Sequence, residues 1–79
     1  MTGEEWLKRL PPGTMLYRRD IDDGAYLVYH TEVDEFPTSG REPWFQLRIW
    51  VVNSRLCKLQ ELNVESTSFL RAWTIVDGN

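Results

Sequence analysis

The sequence predicts a small α+β unit: an antiparallel sheet of four to five strands with one or two short helices on one face. Three observations carry this. Apolar and polar residues alternate in short runs, most clearly from Trp44 to Asn53. Turn-forming residues separate these runs. Helical spacing is confined to two short stretches, one near each end of the chain. With 79 residues, residues 1–79 form a single domain.

The first element is a helix. Thr2 and Glu5 fit a capping box, in which hydroxyl and carboxylate satisfy each other's backbone donors. Trp6, Leu7 and Leu10 then fall at i, i+1 and i+4, on one face. Pro11-Pro12-Gly13 ends the helix, because a proline disfavours helical geometry in the residue before it. Thr14 to Arg19 is a first strand. Asp22-Asp23-Gly24 is a turn signal before a β run, which favours a hairpin. Ala25 to Val33 is the second strand, with Tyr26, Val28 and His30 on one side and Leu27, Tyr29 and Thr31 on the other. Asp34 to Pro43 contains Pro37, Ser39, Gly40 and Pro43 and reads as a loop. Trp44 to Asn53 is the strongest strand. Phe45, Leu47, Ile49 and Val51 make a core face; Trp44, Gln46, Arg48, Trp50 and Val52 make an amphipathic one. Asn53-Ser54-Arg55 turns the chain; Leu56 to Leu62 fits a returning strand or a helical turn, and the tight turn before it favours the strand. Glu65 to Arg71 is a short helix and Trp73 to Val76 a last strand.

Composition excludes several classes. The net charge is −3 and the isoelectric point about 5.0. No run of Lys or Arg exceeds two residues, whereas an electrostatic nucleic-acid binder needs a basic patch. The longest apolar runs, such as Ala25 to Tyr29, are too short to span a bilayer as a helix. The N-terminus lacks the layout of a secretion signal. Cys57 is the only cysteine, so no intrachain disulfide forms, and a cytoplasmic location is the expectation. One Cys and one His do not make a four-ligand zinc site of the usual kind. No cofactor or metal is expected.

Four tryptophans stand out among ten aromatic residues. Trp44 and Trp50 flank Arg48 on one strand face. They can stack a base beside a guanidinium, form part of a core under a helix, or sit in a subunit interface. Arg18 and Arg19 end the first strand and point to opposite faces. One of them can bind an anion, or both can be edge charges that deter sheet aggregation. Asp20, Asp22, Asp23 and Gly24 resemble part of a calcium loop, but Thr31 stands where the bidentate acid belongs. His30 and Glu32 share a strand face, with Asp34 beyond, without a nucleophile motif beside them. Six carboxylates between Asp20 and Glu35, with no Lys or Arg among them, make either a solvated face or an imitation of nucleic-acid phosphates.

The order of motifs resembles the small phage-encoded domains of the second Thoeris anti-defence family. The matching features are a capped helix with Glu-Glu-Trp-Leu-Lys-Arg-Leu (4–10), then Gly13 and a strand ending in Arg18-Arg19. Gly-Ala-Tyr-Leu-Val-Tyr (24–29) follows, then strand, turn and strand over Leu47 to Leu62, and finally Ser-Thr-Ser-Phe-Leu-Arg-Ala-Trp-Thr-Ile-Val-Asp (66–77). Asp20, Ile21 and Asp22 stand where the family commonly has a Trp after the strand-one Arg. Leu62 to Ser66 replaces its Trp-x-Pro-Ser, and Ala72 its Asp before the final Trp. The resemblance is to a divergent member. It implies a homo-oligomeric sponge that binds a cyclic ADP-ribose-type signal without cleaving it. Arg18 or Arg19 would carry over, with Trp73 in a structural role.

The combined expectation is a phage or prophage protein, acting in the host cytoplasm, that sequesters a nucleotide-derived signal at a subunit interface and is not an enzyme. Arg18, Arg19, Arg48 and Arg71 would meet phosphates; Tyr29, Trp44 and Trp50 would stack the base. A chain this small encloses such a ligand poorly by itself, so oligomerisation is expected. The alternative is an acidic, anti-CRISPR-like inhibitor of a host nucleic-acid-binding complex, using Asp22, Asp23, Glu32, Asp34 and Glu35. A structural or assembly protein is the third class.

Overall fold

The computed structural model describes residues 2–76, with the side chains of all of these except 41 and 42. Met1 of the N-terminal segment and Asp77 of the terminal motif lie outside the described residues. The elements run α1 (Gly3–Arg9), β1 (Met15–Arg18), β2 (Ala25–Thr38), β3 (Arg41–Asn53), β4 (Lys58–Glu65), α2 (Ser66–Ala72) and β5 (Trp73–Val76). The five strands form one sheet in the order β4-β3-β2-β1-β5, with every neighbouring pair antiparallel. The expected α+β class is therefore the one observed. No helix among the described residues is long and apolar enough to cross a membrane.

α1 starts where its sequence says. Thr2 Oγ1 accepts from the Glu5 amide at 3.2 Å and Glu5 Oε1 accepts from the Thr2 amide at 3.1 Å, the reciprocal capping box. These bonds favour the ionised carboxylate, so the Glu5 pKa lies below its ordinary value, with the Thr2 backbone amide as the main cause. Trp6 and Leu10 are buried, but Leu7 turns outward. Thr31 Oγ1 donates to the Leu10 carbonyl at 3.0 Å, which ties the end of the helix segment to β2.

Both helices pack on one face of the sheet. Trp6, Leu10 and Phe69 meet Leu16, Val28, Leu47, Ile49 and Val51 in a single buried cluster. Trp6 meets Phe69 edge-on at 6.0 Å, and Tyr26 meets Trp73 edge-on at 5.0 Å, arrangements that the ring quadrupoles favour. Trp6 and Trp73 are thus core residues, and Phe45, Leu47, Ile49 and Val51 form the core face of β3 as its alternation requires.

Two expectations for β2 are overturned. The segment from Asp34 to Pro43 is not a loop: β2 and β3 continue as a two-stranded ribbon around Ser39 and Gly40. The prolines fit because the ladder is irregular there, between the Phe36–Trp44 and Thr38–Arg41 pairs. Neither β1 nor β4 pairs with the ribbon at that level. A missing N–H costs little at such a bulge. The second correction concerns facing. A register shift between Val28 and His30 leaves Tyr29 as the extra residue. Strict alternation would put His30 with Val28; instead His30 pairs with Trp50, and Thr31 joins Val28 in the interior.

Candidate functional site

The face of the sheet opposite the helices is the chain's most distinctive surface. Antiparallel partners share a face, so its residues follow from the register. One row crosses all five strands: Leu59, Val52, Leu27, Met15 and Val76. Every member is apolar, yet Leu59 is 59% exposed, Leu27 46% and Val76 40%. Tyr17 and Tyr29 add two further exposed rings beside it. Scattered exposed apolar residues need no explanation, but a contiguous band of them marks an interaction surface.

Toward the ribbon the face becomes polar. Arg48 donates to Glu32 Oε1 at 2.7 Å, and its Nε lies 3.5 Å from Asp34 Oδ2. That Nε is buried and lacks an aligned hydrogen-bond acceptor, so the second contact is Coulombic. His30 Nε2 lies 3.2 Å from Glu32 Oε2. Its ring is 5.1 Å from that of Trp50, and the Arg48 guanidinium is 5.8 Å from the Trp50 centroid. Farther out, Phe36 and Trp44 stack across the ribbon at 4.4 Å and 14°. No helix covers Trp50, whereas Trp44 borders, with Trp6, Ser66 and Leu70, a groove beside the first turns of the helices.

This geometry divides the residues nominated from sequence. Tyr29, Trp44, Arg48 and Trp50 do share one surface. Arg18 does not: it follows the buried Leu16 at strand spacing and faces the helix side. There it pairs with Asp20 at 3.3 Å and Asp23 at 3.8 Å. Arg19 is anchored at the β1–β5 edge, with its Nε donating to the Trp73 carbonyl at 3.2 Å. Arg71 is on α2, in the helix layer. These three arginines therefore cannot join Arg48 around one ligand within a single chain.

The acidic stretch divides as well. Glu32 and Asp34 are on the open face, whereas Glu35 pairs with Phe45 and is on the helix side. Asp22 accepts from Arg55 at 3.4 Å. Asp23 accepts from the Tyr26 hydroxyl and pairs with Arg18. Hydrogen bonding to Asp23, reinforced by burial, raises the Tyr26 pKa. Five of the six carboxylates thus have an arginine partner, local for Asp20 and Asp23 and from another strand or turn for Asp22, Glu32 and Asp34. The apparent calcium-loop fragment is held by Arg18 and Arg55. No group of three or more His, Cys, Asp or Glu able to hold a metal ion occurs among the described residues.

A second feature was not legible in the sequence. An open groove of about 560 Å³ runs between the first turns of both helices and the base of the ribbon. Trp6, Trp44, Phe45 and Leu70 form much of its wall, with Glu5 and Glu35 beside them. Its size falls within the range of ligand clefts. It depends on how the ribbon leaves the sheet, which no local pattern records.

No protein-family model matches this chain, and neither a curated protein nor a solved structure does so.

Proposed function

We propose that this protein acts by binding and not by catalysis, and that it sequesters a nucleotide-type signal against its open sheet face. The supporting observation is that Tyr29, Arg48 and Trp50 lie together on the uncovered face, with Trp44 farther along the same strand, about 20 Å from Trp50. The half-buried Trp50 ring leaves part of its face as a stacking surface for a base, worth about 1–3 kcal/mol for one base. Glu32 and Asp34 are acceptors of the kind that hold ribose hydroxyls. Arg48 already has two carboxylate neighbours, so a phosphate has to compete with both of them. Recognition therefore runs through base and ribose more than through phosphate, and Arg18, Arg19 and Arg71 take no part on this face. The biological setting is phage counter-defence in the host cytoplasm, as the motif order implies. Calorimetry with cyclic ADP-ribose isomers and cyclic dinucleotides tests this. Binding that Trp50→Ala abolishes is expected; silence across the panel refutes it.

The projecting ribbon favours a second reading, a protein-binding inhibitor. Asp34 and Glu35 lie at its base. Reversal of Glu32, Asp34 and Glu35 to Lys would then abolish inhibition while Trp50→Ala leaves it intact. Asp23 is unsuitable for this test, because its reversal breaks the Tyr26 and Arg18 contacts.

A further inference from the structure

We infer that the groove between the first turns of both helices and the base of the ribbon docks a segment of a partner protein that presents an arginine beside an apolar side chain. The inference goes beyond the nucleotide reading and does not depend on it.

The chain holds its own template for such a contact. On the open face an indole, a carboxylate and a guanidinium come together: Arg48 lies 5.8 Å from the Trp50 centroid and 2.7 Å from Glu32 Oε1. Trp6 likewise has the Arg9 guanidinium 5.7 Å from its centroid. The groove repeats the indole and the carboxylate without the cation. Trp44, 38% exposed, and Glu35 both border it. Among the described residues no guanidinium stands over Trp44. Glu35 is also the one carboxylate from Asp20 to Glu35 without an arginine partner there. Glu5 adds a second carboxylate to the groove. Only its Oε1 accepts from the Thr2 amide, and that bond favours the ionised form. No described residue lining the groove is a cation. The groove therefore disfavours a phosphate and attracts a positive group.

Arginine fits this setting better than lysine. Its planar group stacks on an indole, forks onto a carboxylate and gives up water more readily than an ammonium. The walls also offer more than one guanidinium covers. Pro43 and Leu70 are exposed and apolar, and an apolar neighbour of the arginine would remove them from water. A small-molecule site encloses most of its ligand, whereas this groove of about 560 Å³ is open and admits a continuing chain.

Amide-resolved NMR titration of the full chain tests the proposal. The probes are a capped Leu-Arg-Leu-Leu peptide, the same peptide with citrulline for arginine, and arginine amide alone. The arginine peptide is expected to shift the amides of Thr2, Glu5, Phe45 and Thr67 with a dissociation constant on the order of 0.1–1 mM. Citrulline keeps the shape and removes the charge, and should weaken binding about tenfold. Glu5→Gln and Glu35→Gln should each weaken it about two- to fivefold. Glutamine also completes a capping box, so the first variant keeps α1, and circular dichroism should be unchanged. Trp50→Ala, which abolishes nucleotide binding on the open face, should leave the peptide titration as it is, so the two readings fail separately. No shift of these amides at about 5 mM peptide overturns the inference. So does a citrulline peptide that binds as tightly, the outcome for a groove that is merely apolar. Arginine amide binding as tightly as the peptide also overturns it, since the occupant is then a small cation and not a protein segment.

Discussion

Adjacent residues on β3 give the sharpest test of which side of the sheet is covered. Ile49 is fully buried, while Trp50 next to it is on the open face. A larger side chain would ordinarily be expected to cost more when removed, so the two readings predict opposite orders. Ile49→Ala deletes packing from the centre of the core, beside Thr31 and Leu62 in the register. Such truncations cost about 2–5 kcal/mol. A domain of this length has a total stability of about 4–12 kcal/mol, so the variant loses a large share of it. Trp50→Ala removes contacts with His30 and Arg48 at the surface, and contacts of that kind contribute about 1 kcal/mol. With a urea m-value near the low end, about 1 kcal/mol per molar, the midpoint falls by at least 2 M for Ile49→Ala and by about 1 M for Trp50→Ala. Far-UV circular dichroism is the appropriate probe, because one variant lacks a fluorophore. A Trp50→Ala loss equal to or larger than the Ile49→Ala loss refutes the assignment of faces.

Three further outcomes are expected. Gly24 has φ +92°, and an added Cβ would sit 2.9 Å from Ser54 Oγ, the atom that accepts from the Ala25 amide. Gly24→Ala should therefore cost about 2–3 kcal/mol in urea unfolding; a loss below about 0.5 kcal/mol would show that the β3–β4 turn does not bear on it. Cys57 is the one non-glycine residue with positive φ among the described residues, at 51°. Cys57→Val should cost about 1–2 kcal/mol and Cys57→Gly none, an order that thermal unfolding would reverse if the turn were unstrained. The Tyr26 phenol is protonated in both folded and unfolded chains below its ordinary pKa of 10.0, where its bond to Asp23 contributes fully. That contribution is lost as pH rises through the higher native value. The melting temperature should fall above pH 10, and Tyr26→Phe should flatten that fall; identical alkaline profiles would count against the Asp23 contact.

Most of the fold is written in local pattern. The Thr2–Glu5 box, the Pro11-Pro12-Gly13 stop, the core alternation of β3 and the last helix and strand each depend on neighbours within a few residues. The misses have a common cause. Pro37 and Pro43 ordinarily signal a loop, and they are compatible with strands only where the ladder slips and no third strand pairs alongside. That is a property of the sheet and not of either segment. The bulge at Tyr29 has no glycine or proline to mark it, so alternation counted from Ala25 runs one residue out of step beyond it. His30 and Thr31 were therefore expected on each other's faces. The scattering of Arg18, Arg19, Arg48 and Arg71 is a matter of layer. Composition can nominate cations for a phosphate, but only the packing of α2 and the β1–β5 pair determines which of them meet.

The same reasoning bears on the acidic character of the chain. A net charge of −3 with six carboxylates between Asp20 and Glu35 suggests a negative surface able to repel or imitate nucleic acid. Folding offsets part of that charge by setting three arginines against the six carboxylates: Arg18 takes Asp20 and Asp23, Arg55 takes Asp22, and Arg48 takes Glu32 and Asp34. Most of these pairs are solvent-exposed, and each such pair contributes little stability. Their effect is on recognition. They weaken the long-range field of the acidic segment, and the apolar row and the aromatic rings set the open face apart. A partner for this face is selected by shape and by apolar and aromatic contact, with charge deciding register.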